Sequence, residues 1–177
     1  MIENEKIYPT CQTTDRTVVV GGLTKSQLIQ KMQQHSIMMN ELGKKLFADD
    51  RFTTSDKTYS LKTVGLTVRD LGLPEGATTS QLFTRAMQLD LALCPLELGP
   101  YLRLEYRDQP EGYLGKPARQ YQAPYGSVTI ASAILTDDVE FPKGFYLRRI
   151  NGVLWLRGYV ADDKYVWEPD DHFIFIK

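Results

Sequence analysis

The sequence predicts an α+β fold in which N-terminal helices pack on a C-terminal antiparallel β-sheet. Three observations support this prediction. Capped helix patterns lie in the first half of the 177 residues, the second half alternates apolar and polar residues, and an Asn-Gly pair stands at 151–152 between two such runs. Period-two alternation is typical of half-buried strands, and Asn-Gly is the preferred two-residue hairpin turn. Helices followed by strands indicate the α+β class.

The first elements of the chain are a short strand and two helices. The β-branched run 17–20 is predicted to be extended. Thr24 follows two glycines, and Gln27 stands three residues later, so the pair forms a capping box for a helix that we expect to end near His35. Asn40 is the expected cap of the second helix.

A strand and a third helix complete the first half. The apolar run 59–68 is predicted to be a strand that Gly65 interrupts. The capping box returns at Thr78 and Gln81, and the helix that it starts should end before Pro95. Proline lacks the backbone N–H that a helix interior requires.

The second half reads as strands joined by turns. Between 108 and 126, several prolines and glycines predict a long surface loop. The predicted strands are 101–107, 128–135, 145–150, 153–159 and 172–176.

These elements predict one globule with a polar extension. Residues 1–15 lack hydrophobic periodicity and are predicted to be a flexible N-terminal arm. Residues 16–177 form a single α+β globule, with a helix-rich half at 16–95 and an antiparallel β half at 96–177.

The hairpin predicts one unusual face. A two-residue turn places Arg148 opposite Trp155 and Tyr146 opposite Arg157, all on the same side of the two strands. Arginines held against aromatic rings are suited to a carboxylate or phosphate, although they also occur on ordinary solvated sheets. Arg103 is expected to join this face if its own strand pairs nearby.

Composition restricts the classes of partner. The formal net charge of −1 lacks the basic excess that phosphate neutralisation requires, which argues against a nucleic-acid binder. No segment approaches the ~20 apolar residues of a membrane span, and no export signal is visible, so a cytoplasmic location is expected. Cys11 and Cys94 are then expected to be reduced thiols.

No motif predicts a metal or a cofactor. The two histidines and two cysteines show no zinc-ligand spacing. The run from Val18 to Ser26 has a lysine followed by serine after two glycines, but it lacks the glycine positions of a phosphate-binding loop. The paired aspartates at 137–138, 162–163 and 170–171 fall where turns are expected.

Several runs in the C-terminal half of the chain carry a family resemblance. The runs LCPLELGP at 93–100, LRL at 102–104 and DQ at 108–109, and the stretch 142–169 with its LWLRGY run, resemble a family of uncharacterised bacterial cytosolic proteins. The resemblance spans residues 20–177 and implies a bacterial, non-secreted protein without a known activity. Some members carry a helicase label, but this chain lacks a nucleotide-binding loop and is too short for a helicase motor.

The resulting hypothesis is a non-enzymatic binding protein. Its arginine and aromatic face would take a small anionic ligand or an acidic protein surface, and the sequence leaves the oligomeric state open. One alternative is a small enzyme acting on an anionic substrate, in which Glu97, Asp171 or His172 would transfer protons. A second alternative is a nucleic-acid-associated protein.

Overall fold

The computed structural model describes residues 6–113 and 123–177. Part of the predicted arm, residues 1–5, and part of the predicted loop, residues 114–122, lie outside these ranges. Within them the chain has a mixed α/β architecture with one large sheet. The helices are α1 (Lys25–Gln34), α2 (Glu41–Ala48), α3 (Thr79–Gln88) and α4 (Leu98–Glu105).

The strands supply a seven-stranded sheet and a separate two-stranded ribbon. They are β1 (Thr14–Val20), β2 (Met38–Met39), β3 (Tyr59–Thr67), β4 (Ala77–Thr78), β5 (Val128–Ile130), β6 (Gly144–Ile150), β7 (Val153–Tyr159), β8 (Val166–Trp167) and β9 (His172–Ile176). The large sheet has the order β1-β3-β9-β5-β6-β7-β2, and β4 pairs with β8.

The prediction of an antiparallel C-terminal sheet is wrong, because the sheet is mixed and both halves of the chain build it. Strands β1 and β3 from the first half form one side of the sheet. The last strand, β9, pairs with β3 in antiparallel and with β5 in parallel orientation, and β2 adds to β7 in parallel orientation. These parallel pairs join segments far apart in sequence, which hydrophobic alternation does not reveal.

The predicted strand 101–107 is also wrong, because helix α4 occupies most of it. Leu98 and Leu102 are fully buried and four residues apart, so they lie on one side of a helix. Pro100 stands in the first turn, where a helix has no use for the missing N–H. At Gly99 a Cβ atom would lie 2.6 Å from Cδ2 of Phe145, so the helix contacts the sheet directly.

The three predicted N-terminal caps are confirmed. Thr24 with Gln27, and Thr78 with Gln81, form reciprocal capping boxes at α1 and α3. The side chain of Asn40 accepts a hydrogen bond from the backbone N–H of Gly43 at the start of α2. These bonds satisfy amides that a helix leaves without partners in its first turn.

Helices cover the two faces of the sheet differently. On the first face, α1, α2 and α4 pack over a core that includes Leu147 and Leu156. On the second face, α3 packs with Leu82 and Ala86 near Phe175 of β9. On this second face, the side chains of the β6–β7 hairpin are half-buried rather than enclosed. Polar groups of the hairpin therefore remain accessible on this face.

Candidate anion-binding face

The predicted hairpin register is confirmed. Asn151 and Gly152 have φ values of 51° and 74°, as their turn requires. Arg148 pairs with Trp155, and Tyr146 pairs with Arg157. The neighbouring pair of Leu147 and Leu156 points into the core of the first face. We call Tyr146, Arg148, Trp155 and Arg157 the arginine face.

Arg157 is held in place by both aromatic residues of this face. Its Nε donates a hydrogen bond of 2.8 Å to the hydroxyl of Tyr146. Its guanidinium carbon lies 4.9 Å from the Trp155 ring centroid, within cation–π range. No residue in the described part of the chain accepts a hydrogen bond from its terminal Nη groups. The guanidinium is therefore oriented while two of its nitrogens keep their hydrogen-bonding capacity.

Arg148 makes fewer side-chain hydrogen bonds than Arg157 does. Its Nε is buried and has no hydrogen-bond partner among the described residues. Desolvation lowers the pKa of the Arg148 guanidinium, Tyr146 opposes this effect, and the nearby charge of Arg157 lowers the pKa further. The face thus brings two like charges together, with one of them partly removed from water.

No described carboxylate pairs with either arginine of the face. The ion pairs of the described residues lie elsewhere, for example between Arg69 and Asp170 and between Arg149 and Glu111. An arginine pair without a counter-ion is electrostatically unfavourable in isolation. An added carboxylate or phosphate would relieve this repulsion and accept the available N–H groups.

Arg103 does not lie on the arginine face. It belongs to α4 and is fully buried, and burial lowers the pKa of its guanidinium to about 10. Nη1 donates to Oε1 of Gln109 at 2.6 Å and to the carbonyl oxygen of Trp155 at 3.3 Å, while Nη2 donates to the carbonyl oxygen of Tyr106. Arg103 therefore supports the hairpin backbone from inside the protein.

A cavity adjoins the arginine face at Tyr146. Its volume is about 490 Å³, within the usual range for sites that bind small molecules. Thr129 of β5 contributes to its wall, and Asp162 is the carboxylate among its described lining residues. The larger lining side chains are Tyr146, Tyr159, Tyr165 and Trp167.

The aromatic side chains of the cavity form a continuous row. The ring centroids of Tyr146 and Tyr159 are 6.4 Å apart, those of Tyr159 and Trp167 are 5.6 Å apart, and those of Tyr165 and Trp167 are 4.9 Å apart. Trp167 is fixed by a hydrogen bond of 2.9 Å from Nε1 to Oγ1 of Thr79. Burial raises the pKa of the Tyr159 phenol, so this side chain stays protonated at neutral pH.

Sequence reasoning missed these cavity residues. Tyr159 continues the alternation of Trp155 and Arg157 along β7, and this spacing could have assigned it to the arginine face. Tyr165 and Trp167 come from a loop and from the two-residue strand β8, where no periodic signal exists.

The three side chains considered for proton transfer lie apart from the arginine face. Glu97 is buried and accepts hydrogen bonds from the N–H and hydroxyl of Ser55 and from Tyr59. Asp171 is buried and accepts a hydrogen bond from the Glu168 amide. His172 contributes to a different cavity on the first face.

Comparisons with known proteins give no match. No family model, no curated protein and no solved structure is significantly similar to this chain. The resemblance to a bacterial family therefore stays a prediction. Among the residues described, no helix is both long and apolar enough to cross a membrane. The same residues contain no group of three or more potential metal-binding side chains.

Proposed function

We propose that the protein is a non-enzymatic binding protein that holds a small anionic ligand on the arginine face. The observation that carries this proposal is the placement of Arg148 and Arg157 on one face without a carboxylate partner among the described residues. Guanidinium groups bind carboxylate and phosphate oxygens through planar, charge-assisted hydrogen bonds.

Preorganisation supports binding at this place rather than at scattered surface arginines. The hydrogen bond to Tyr146 and the contact with Trp155 already hold the Arg157 side chain. Less conformational entropy is then lost when a ligand binds. Arg103 supports the same hairpin from below by hydrogen-bonding the Trp155 carbonyl group.

The adjoining cavity favours a ligand with an apolar or aromatic body. Tyr146 belongs both to the arginine face and to the cavity wall, so a ligand can place its anionic group on the arginines and its body against the aromatic row. Rings prefer edge-to-face or offset contacts with such walls. A concave site of this kind is typical of small-molecule binding, whereas a flat surface is not.

Binding is favoured over catalysis because the three side chains considered for proton transfer lie away from the arginine face. Glu97 and Asp171 are buried and hydrogen-bonded elsewhere, and His172 lines a cavity of the first face. General acid–base catalysis requires a group within hydrogen-bonding reach of the reacting atoms. The net charge of −1 continues to argue against nucleic acid.

The proposal is tested by isothermal titration calorimetry with phenyl phosphate and inorganic phosphate. Phenyl phosphate should bind more tightly, because its ring can enter the cavity. The double variant Arg148→Gln/Arg157→Gln should weaken binding by at least about 10-fold, since hydrogen bonds to charged groups are worth about 1.5–3 kcal/mol.

The control removes the same amount of charge from the surface. Lys44→Gln/Arg69→Gln changes two residues that form exposed ion pairs away from the arginine face, and it should leave binding unchanged. The proposal is wrong if neither probe binds at millimolar concentration. It is also wrong if the arginine double variant binds phenyl phosphate as well as the unmodified protein does.

A further inference from the structure

A second cavity lies on the first face of the sheet, beyond the end of α4. Its volume is about 490 Å³. Strands β1, β3 and β9 form its floor, and the segment that follows α4 forms one wall. The polar and small residues that line it include Thr14, Arg16, Gly65, Thr67, Tyr106 and His172.

Gly65 keeps the floor of this cavity open. It lies inside β3, where glycine weakens a strand because it loses more backbone freedom on folding and has no side chain to pack. Its backbone does not require glycine, because its φ is not in the left-handed region. A Cβ atom would lie 3.5 Å from Cβ of Thr14 and 3.8 Å from Cδ1 of Ile174, which are ordinary contacts. Neither conformation nor packing explains the missing side chain.

Other glycines of the sheet show the contrast. At Gly158 a Cβ atom would lie 2.7 Å from the carbonyl carbon of Leu42, and at Gly144 it would lie 2.8 Å from Oγ of Ser132. Packing excludes a side chain at both positions. Gly65 differs from them because a Cβ atom would meet only ordinary contacts and the residue lines a cavity.

An arginine without an ion partner stands at the edge of this space. The guanidinium carbon of Arg16 lies 4.0 Å from the ring centroid of Tyr106, so the ring orients it. No carboxylate in the described ranges forms an ion pair with Arg16. Asp70, the acid among the described lining residues, accepts a hydrogen bond of 2.9 Å from the Thr67 amide. His172, at the start of β9, lines the end of the cavity away from Arg16.

We propose that this cavity binds a small planar carboxylate. The carboxylate group would pair with the guanidinium of Arg16, and the flat body would lie over Gly65 towards His172. A planar carboxylate matches the fork geometry of a guanidinium group. The inference is independent of the arginine face, since the two sites lie on opposite faces of the sheet.

The test is a ¹⁵N-resolved NMR titration of the full chain with benzoate. Binding should shift the amide signals of Gly65, Thr67 and His172 in a saturable manner. Gly65→Val should abolish these shifts by filling the floor, and Arg16→Gln should abolish them by removing the cation. Lys62→Gln is the control, because it removes an exposed charge from β3 without touching the cavity.

The outcomes separate this inference from the proposed function. Benzoate shifts confined to the arginine face would overturn the inference and leave the proposed function standing. Unchanged benzoate affinity in both Gly65→Val and Arg16→Gln would also overturn it. Arg16→Gln replaces a half-buried side chain and is expected to fold. The test can therefore still be carried out with this variant if Gly65→Val fails to fold.

Discussion

The side-chain amide of Asn40 hydrogen-bonds both backbone groups of Gly158. Nδ2 donates to the Gly158 carbonyl oxygen at 3.0 Å, and the Gly158 amide donates to Oδ1 at 2.8 Å. The same Oδ1 accepts the hydrogen bond from Gly43 that caps α2. The Asn40 side chain therefore caps α2 and also bonds the backbone of β7 as a neighbouring strand would. Strand β2 pairs with β7 only at Trp155 and Leu156, so Asn40 extends the protection of this sheet edge to Gly158.

Asn40→Ala should lower the free energy of unfolding by about 2–4 kcal/mol, because it removes a helix cap and leaves backbone groups of Gly158 unpaired. Urea denaturation followed by circular dichroism measures the change. Asn40→Ser keeps an oxygen that can cap α2 and should be less destabilising. Equal losses in the two variants would contradict the capping role of Asn40.

Two glycines of the sheet should respond oppositely to alanine. In Gly158→Ala the new Cβ would lie 2.7 Å from the carbonyl carbon of Leu42, so we expect a loss of about 1–3 kcal/mol from overpacking. Gly65→Ala meets only ordinary contacts and should raise the free energy of unfolding by about 0.4–1 kcal/mol. Midpoints of chemical denaturation of the two variants test the contrast directly.

Arg148→Met should leave stability unchanged or raise it while weakening phenyl phosphate binding. The substitution removes a buried Nε without a described partner and separates two like charges. Removing an unsatisfied buried polar group favours folding by about 1 kcal/mol. Thermal unfolding and calorimetry on the same sample would show the two effects, and a large loss of stability would contradict this account.

Arg157→Lys should weaken phenyl phosphate binding although it preserves the charge. Lysine cannot reproduce the hydrogen bond from Nε to Tyr146, and it presents a point charge rather than a planar group. We expect affinity to fall by about 10-fold, or about 1.4 kcal/mol. Tyr146→Phe, which removes only the hydroxyl group, should cause a smaller loss in the same titration.

Tyr59 should make stability fall at alkaline pH. Tyr59 is 37% exposed, but partial desolvation and the hydrogen bond to Glu97 raise its pKa from 10.0 to about 12. A raised folded-state pKa stabilises the protein below pH 10, and this contribution disappears as the pH rises through 12. The difference in unfolding free energy between the unmodified protein and Tyr59→Phe should therefore shrink over this interval. A constant difference from pH 8 to 12 would contradict the assignment.

Local chemistry made some elements predictable. The capping boxes at Thr24 and Thr78 and the Asn151-Gly152 turn each depend on residues within a few positions, so the sequence displays them. The short alternation at 101–107 misled because Leu98 and Leu102 also have helical spacing. The contact of α4 with Phe145 favours the helical spacing over the strand alternation, and Phe145 is remote from α4 in the sequence.

One part of the candidate site, the hairpin face, could be predicted from local sequence, and the other part, the cavity wall, could not. The turn fixes the register of the hairpin, and the register places Arg148 and Arg157 on one face. The cavity wall at Tyr165 and Trp167 depends on the pairing of β4 with β8, a contact between distant two-residue strands. Arg103 was misplaced because its helix was taken for a strand.

The central position of β9 has a consequence for synthesis on the ribosome. Strands β3 and β5 are complete long before residues 172–176 are translated, yet they are joined only through β9. The nascent chain therefore exposes two open strand edges until residues 172–176 emerge. Long-range pairing of this kind slows folding and favours recognition of the growing chain by chaperones.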